Sequence, residues 1–214
     1  MFKAVIFDMD GTILDTLEDL KDSLNYSLSK YGFDERSLDE VRSYVGNGLH
    51  KTVERAVADN ATEEDVEKIF ECMVPYYKEH CRIKTKPYDG IVDVIRKIKT
   101  MGIATAVISN KNNAAVGQLC EEMFKDCFDY YMGETEGIKL KPDREMVDIT
   151  LSKLGVSNNE ALYIGDSEVD ILTASNSMMK CLAVTWGFRD KEMLIENGAT
   201  DFVDKPEQII EYLQ

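Results

Sequence analysis

The sequence predicts an α/β protein in which a mostly parallel sheet is interrupted, just after its first strand, by a helical insertion. Three observations along the 214 residues predict it. Short apolar, β-branched runs recur; helical patterns separate the later runs; and a long segment of helical patterns alone parts the first run from the second. Strands alternating with helices of this length imply right-handed βαβ units and hence a parallel sheet.

The first strand covers residues 3–7 and ends at Asp8. Helical patterns follow over 18–30, 38–44, 49–58 and 63–80, with Thr62 capping the last and acids in its first turn. Pro87-Tyr88-Asp89-Gly90 reads as the turn that ends the insertion. Beyond it, strands are expected at 104–108, 129–132, 161–164 and 181–185, and helices at 91–101, 114–124, 144–154 and 168–176. Gly102 and Gly155 stop two of these helices. The expected division is a core domain of residues 1–14 and 83–214 and a helical cap domain of residues 15–82.

Composition narrows the function. Forty acidic against 25 basic residues give a net charge of -15, which disfavours nucleic acid and anionic membrane surfaces as partners. No apolar run approaches the length of a membrane span, and the first residues lack the basic region and long apolar stretch of a secretory leader, so a cytoplasmic location is expected. The five cysteines are odd in number and form no C-x-x-C pair, which suggests neither a disulfide framework nor a zinc site. His50 and His80 are the only histidines, too few for histidine-based metal binding. Asn60-Ala61-Thr62 matches a glycosylation sequon, which carries no meaning without secretion.

In an open parallel sheet, ligands bind beyond the carboxyl ends of the strands. At the first such end, residues 4–16 read AVIFDMDGTILDT. Asp8 and Asp10 share one side of an extended chain, and like charges that close raise each other's pKa unless a cation sits between them or one acid stays protonated. Gly11 permits a sharp turn beside them, and Thr12 offers a hydroxyl and an N–H to an anion. Taken alone, the stretch also has a plainer reading, a strand running into an Asp-Gly turn. The other strand ends add weight: Ser109, Asn110 and Lys111 after the second, Lys141-Pro142 after the third, and Gly165-Asp166-Ser167 with Asp170 after the fourth. Three carboxylates suit a hard cation such as magnesium, while a lysine and a hydroxyl suit phosphate oxygens. One aspartate can then attack phosphorus while its neighbour hands a proton to the leaving alkoxide and takes one from the attacking water.

Asp8-Met9-Asp10-Gly11-Thr12, Ser109, Lys141-Pro142 and the GDSEVD of residues 165–170 resemble, in order and spacing, the four motifs of the haloacid dehalogenase superfamily. Within it the chain is similar to the phosphoglycolate phosphatases, a likeness echoed by Val45-Gly46-Asn47-Gly48 and Glu54-Arg55-Ala56 in the insertion. The resemblance implies a Rossmann-like parallel-sheet core with an inserted cap, and magnesium-dependent hydrolysis of a small phosphorylated metabolite through a phosphoaspartate. It implies Asp8 as nucleophile, Asp10 as general acid and base, Gly11 and Thr12 holding phosphate, Ser109 binding a phosphoryl oxygen with Asn110 beside it, and Lys141 steadying nucleophile and phosphate. Lys141 is preferred to Lys139 because Pro142 follows it. Magnesium would be held by Asp8, the backbone carbonyl of Asp10, and Asp166, with Asp170 in support. Asn47 and Arg55 are candidates for gripping the carboxylate of 2-phosphoglycolate.

Other readings fit less well. An acid at Asp10 separates the chain from the superfamily's dehalogenases and transport ATPases, leaving inorganic pyrophosphatase, sugar-phosphate phosphatase or phosphomutase as neighbouring alternatives. A signalling receiver also uses an aspartate, magnesium, a hydroxyl and a lysine, but needs no large helical insertion. A non-catalytic binding module would not need every catalytic position filled. Gly46-Asn47-Gly48 completes neither a dinucleotide fingerprint nor a P-loop. Met178, Met179 and Trp186 read as packing residues. The sequence leaves open whether the chain is a monomer or a homodimer.

Overall fold

The structure, a computed structural model, describes residues 1–57 and 61–214. The expected helix end at Ala58 and the sequon's Asn60 lie outside the described residues. In chain order the elements are β1 (Ala4–Phe7), β2 (Leu14–Asp15), α1 (Leu17–Lys30), α2 (Leu38–Tyr44), α3 (Leu49–Val57), α4 (Glu63–His80), β3 (Lys86–Pro87), α5 (Ile91–Thr100), β4 (Ala104–Asn112), α6 (Asn113–Met123), β5 (Tyr130–Glu134), α7 (Glu145–Leu154), β6 (Ala161–Gly165), α8 (Glu168–Asn176), β7 (Lys180–Val184), α9 (Lys191–Glu196), β8 (Phe202–Val203) and α10 (Gln208–Leu213). They gather into two compact units, Met1–Leu14 with Pro87–Gln214, and Asp15–Lys86.

The first unit holds a six-stranded parallel sheet in the order β5-β4-β1-β6-β7-β8. β1 lies inside it, with Ala4 opposite Ala104 on one side and Ala161 on the other. Every residue of β1 is buried, as a strand covered on both faces requires. Val5 and Phe7 pack with Ile95 and Ile98 of α5, Leu119 of α6 and Ile209 of α10; Ala4 and Ile6 pack with Met146, Val147 and Leu151 of α7 and with Ala174 of α8. The period-two alternation of one apolar run thus feeds two cores.

Two features depart from expectation. β4 does not stop at Ile108 but runs to Asn112, with its register against β5 shifting between those residues, so Ser109, Asn110 and Lys111 belong to an irregular strand extension. β8, α9 and α10 complete the sheet edge with elements of two and six residues, too short to show a period in the sequence.

The second unit is helical. α1 packs on α4 and α2, and α3 on α2 and α4, burying Leu24, Leu28, Val41, Val53, Ile69 and Met73. Ser37 and Thr62 cap α2 and α4, each accepting from the backbone three residues on while Glu40 or Asp65 reaches back. Buried Asp19 accepts from the backbone N–H groups of Lys84 and Thr85, tying the end of this unit to its first helix. No helix among the described residues is long and apolar enough to cross a membrane.

Candidate active site

At the carboxyl end of β1 the chain keeps one more ladder bond, the Asp8 N–H donating to the Ile164 carbonyl at 2.9 Å, and then folds back sharply. The Met9 carbonyl accepts from the N–H groups of Thr12, Ile13 and Leu14, and Gly11 takes φ +89°. Glycine is required there twice over, because a Cβ would also lie 2.3 Å from Asp166 Oδ2.

Around this turn the acids and cations interlock. Lys141, from the loop after β5, places Nζ 2.7 Å from Asp8 Oδ1 and 2.8 Å from Asp170 Oδ1. Tyr163 of β6 joins them, its hydroxyl donating to Asp170 Oδ1 at 3.0 Å and lying 3.2 Å from Lys141 Nζ. Asp170 Oδ2 accepts from the Asp166 and Ser167 N–H groups and the Ser167 hydroxyl. Both its oxygens are thereby engaged, so Asp170 holds the lysine and the loop before α8. Lys139 is exposed and pairs with Asp143. Asp166 Oδ1 accepts from the Thr12 hydroxyl at 2.8 Å, and Oδ2 from the Phe188 N–H at 2.7 Å.

Burial pushes the Asp8 carboxyl well above the usual carboxylate range, the neighbouring Asp170 adds to this, and Lys141 offsets only part. Asp166 is pushed up to about 7, first by burial and then by Asp170. Lys141 is raised: burial pulls it down, but Asp170 and Asp8 outweigh that and keep it charged.

The core residues expected to act together are therefore assembled, with changes of detail. Thr12 has turned inward: its hydroxyl serves Asp166 and its N–H the Met9 carbonyl, so it orients an acid where a direct grip on phosphate was expected. Asn110 anchors the lysine loop, donating to the Lys141 carbonyl at 3.0 Å and accepting from its N–H at 2.9 Å. Ser109 is buried and accepts the Lys111 N–H at 3.1 Å. Asp10 pairs with Lys111, Nζ to Oδ1 2.7 Å, rather than sharing a cation with Asp8 alone. In the helical unit, Arg55 donates from Nη1 to the Tyr44 carbonyl and from Nη2 to Asn47 Oδ1, both at 2.7 Å. Each of these two nitrogens thus spends one of its N–H groups within that unit.

A fifth loop, residues 185–189 after β7, carries no motif in the sequence yet completes the edge. Gly187 lets Asp166 approach where a Cβ would lie 2.3 Å from it, Phe188 supplies the N–H above, and Trp186 is more than packing, its indole N–H donating to the Thr12 carbonyl at 3.0 Å. Its position after a parallel strand was the available signal. Buried Tyr163, inside an apolar run, gave none.

Among the described residues, Asp8, Asp166 and Asp170 bring carboxylate oxygens within 4.8 Å of one another. Three buried carboxylates converge here and the donors are all hard oxygens, so the set fits a divalent cation such as magnesium.

Comparison with known proteins agrees with this architecture. Residues 5–184 match the haloacid dehalogenase-like hydrolase family. A phosphoglycolate phosphatase of Neisseria meningitidis is 30% identical over 213 residues, 97% of this chain and 89% of its own, and one of Agrobacterium fabrum is 31% identical over 88% and 83%. The crystal structure of a provisionally named phosphoglycolate phosphatase from Lactobacillus delbrueckii subsp. bulgaricus superposes with a TM-score of 0.96 at 39% identity, covering 99% of this chain and 98% of that one. The parallel sheet, its strand-end acids and these likenesses together place the chain in the haloacid dehalogenase-like hydrolase family, as a phosphatase similar to the phosphoglycolate phosphatases.

Proposed function

We propose that this phosphatase hydrolyses 2-phosphoglycolate with magnesium, through a phosphoaspartate on Asp8. The observation that carries the reading is the Asp8 carboxylate, buried at the end of β1 with Oδ1 fixed by Lys141 while Asp170 fixes Lys141 in turn. A carboxylate held by one oxygen presents the other for attack. Asp8, Asp166 and the Asp10 carbonyl would hold magnesium, which when bound draws charge from the phosphoryl oxygens. The Asp8 oxygen forms a bond to phosphorus as the ester P–O bond breaks, and the alkoxide leaves with the proton of Asp10. Water then attacks phosphorus, gives its proton to Asp10, and the Asp8–phosphorus bond breaks to release phosphate. Ser109 and Lys141 steady the phosphoryl oxygens throughout.

The substrate assignment is supported by the names of the relatives and by their coverage of the chain. Asn47 and Arg55 enter it as a held loop whose amide and guanidinium suit a second anionic group. The test is phosphate release from a panel of phosphorylated metabolites, together with trapping of the phosphoenzyme. Wild type with magnesium should release phosphate from 2-phosphoglycolate, and Asp8→Asn should release none. Activity retained in Asp8→Asn, or full activity in excess chelator, overturns the mechanism. Pyrophosphate or a sugar phosphate as the best substrate overturns the substrate alone.

A further inference from the structure

Ser109-Asn110-Lys111 leaves one residue without a role in the reaction described so far. Lys111 is not a surface lysine: its side chain is 5% exposed, and its Nζ lies 2.7 Å from Oδ1 of Asp10, itself 22% exposed. Burying an ammonium is unfavourable unless a partner meets it, so the pair is a built feature of the site. Its backbone is fixed as well. The Lys111 N–H donates to Ser109 Oγ at 3.1 Å, and its carbonyl packs where a Cβ on Gly133 would lie 2.5 Å away. The irregular end of β4 thus carries one residue that touches both Ser109 and Asp10.

The two lysines divide the paired acids between them, Lys141 taking Asp8 and Lys111 taking Asp10. From this geometry we infer that Lys111 is a positioning residue for proton transfer: it fixes Asp10 by Oδ1 and leaves Oδ2 to exchange the proton with the leaving oxygen and with water. The arrangement serves both forms of the acid, since with the proton on Oδ2 the other oxygen is a carbonyl that still accepts from the ammonium. Because the Lys111 N–H occupies a lone pair of Ser109, the serine's own hydrogen is directed to an acceptor elsewhere, as a phosphoryl contact needs. The inference rests on the phosphatase reading, with Asp10 as acid and base.

A double-mutant cycle tests it, using steady-state phosphate release from 2-phosphoglycolate by the full chain with magnesium. Lys111→Met should lower kcat by about tenfold to a hundredfold with KM changed less than about threefold, and Lys111→Arg should recover most of the loss. Lys111→Met added to Asp10→Asn should bring no further loss in kcat, as expected of a lysine whose part in the reaction runs through that acid. Independent, multiplying losses, or a change confined to KM, overturn the inference in favour of a direct substrate contact. An unchanged kcat in Lys111→Met overturns it outright. If Lys111→Met fails to fold, Lys111→Arg in the Asp10→Asn background gives the same decision: any change in kcat there counts against it. A wild type that releases no phosphate from any ester fails the phosphatase reading itself, and the inference falls with it.

Discussion

Two polar clusters stand out, one at the sheet edge of the α/β unit and one at the Gly46-Asn47-Gly48 loop of the helical unit, and they are built differently. At the sheet edge the partners come from far apart in the chain: Thr12 and Asp166 are 154 residues apart, Asp10 and Lys111 are 101. In the helical unit, Arg55 reaches Tyr44 and Asn47, only 11 and 8 residues away. Long-range partners are brought together by sheet register, which a rigid core fixes to within fractions of an ångström, whereas near neighbours need only their own turn. The first design suits chemistry that depends on position; the second suits holding a loop in shape.

Removing Asp170 should break the first cluster most severely. Asp170→Ala leaves Tyr163 and two backbone N–H groups without their acceptor and loosens Lys141, and losing one member of such a buried ion pair costs about 3–5 kcal/mol. Chemical denaturation should show a loss of that order, with phosphate release falling at least as far as in any single substitution outside Asp8. A variant of wild-type stability would mean that the cluster is not a mechanical unit. Asp10→Asn should act more narrowly, lowering turnover roughly a hundredfold while stability and substrate affinity change little. Collapse of affinity with near-normal turnover would make Asp10 a structural ligand instead.

A smaller effect separates charge from geometry. Asp8 and Asp166 titrate higher in the folded chain than when unfolded, the latter at about 7, so the folded state binds more protons than the unfolded one between about pH 4 and 7. These two acids therefore make the metal-free protein less stable as pH rises through that window, the reverse of a salt-bridged carboxylate, and the contribution is flat below it. If magnesium is held by these carboxylates it competes with their protons, so it should raise Tm by several degrees at pH 8 and by little at pH 5. An equal rise at both pH values would show that these carboxylates are not its ligands.

The difference between the clusters also governs what was legible in the sequence. The fully buried run of β1, the helix stops Gly102 and Gly155, and the cap at Thr62 are local signals, and each marks an element that forms. The acids and Lys141 are legible because they follow strands, and strand ends converge whatever the details of packing. What was not legible depends on distance. Thr12 turns to Asp166, Lys111 to Asp10 and Trp186 to the Thr12 carbonyl only once the sheet sets β1, β4, β6 and β7 side by side, and no spacing within the chain encodes those meetings. The glycines at 165 and 187 are the same lesson from the backbone: they admit Asp170 and Asp166 at distances that no local pattern announces.

The smallest predicted effect tests the second cluster on its own terms. Arg55 spends two guanidinium nitrogens on the Tyr44 carbonyl and Asn47 Oδ1, so in the absence of substrate it acts as a brace between α3 and the glycine loop. Arg55→Ala should cost about 1–2 kcal/mol of stability, the scale of losing charge-assisted bonds from a half-buried site. Arg55→Lys should not restore it, because a single ammonium cannot meet two acceptors in the guanidinium's fork geometry. If the brace is all that Arg55 provides, kcat/KM for 2-phosphoglycolate and for a neutral aryl phosphate should fall together, and by no more than a few-fold. A fall of tenfold or more confined to 2-phosphoglycolate would instead show the guanidinium trading Asn47 for the substrate's carboxylate. The two clusters would then differ in timing as well as in reach: one assembled by the fold, the other completed by the ligand.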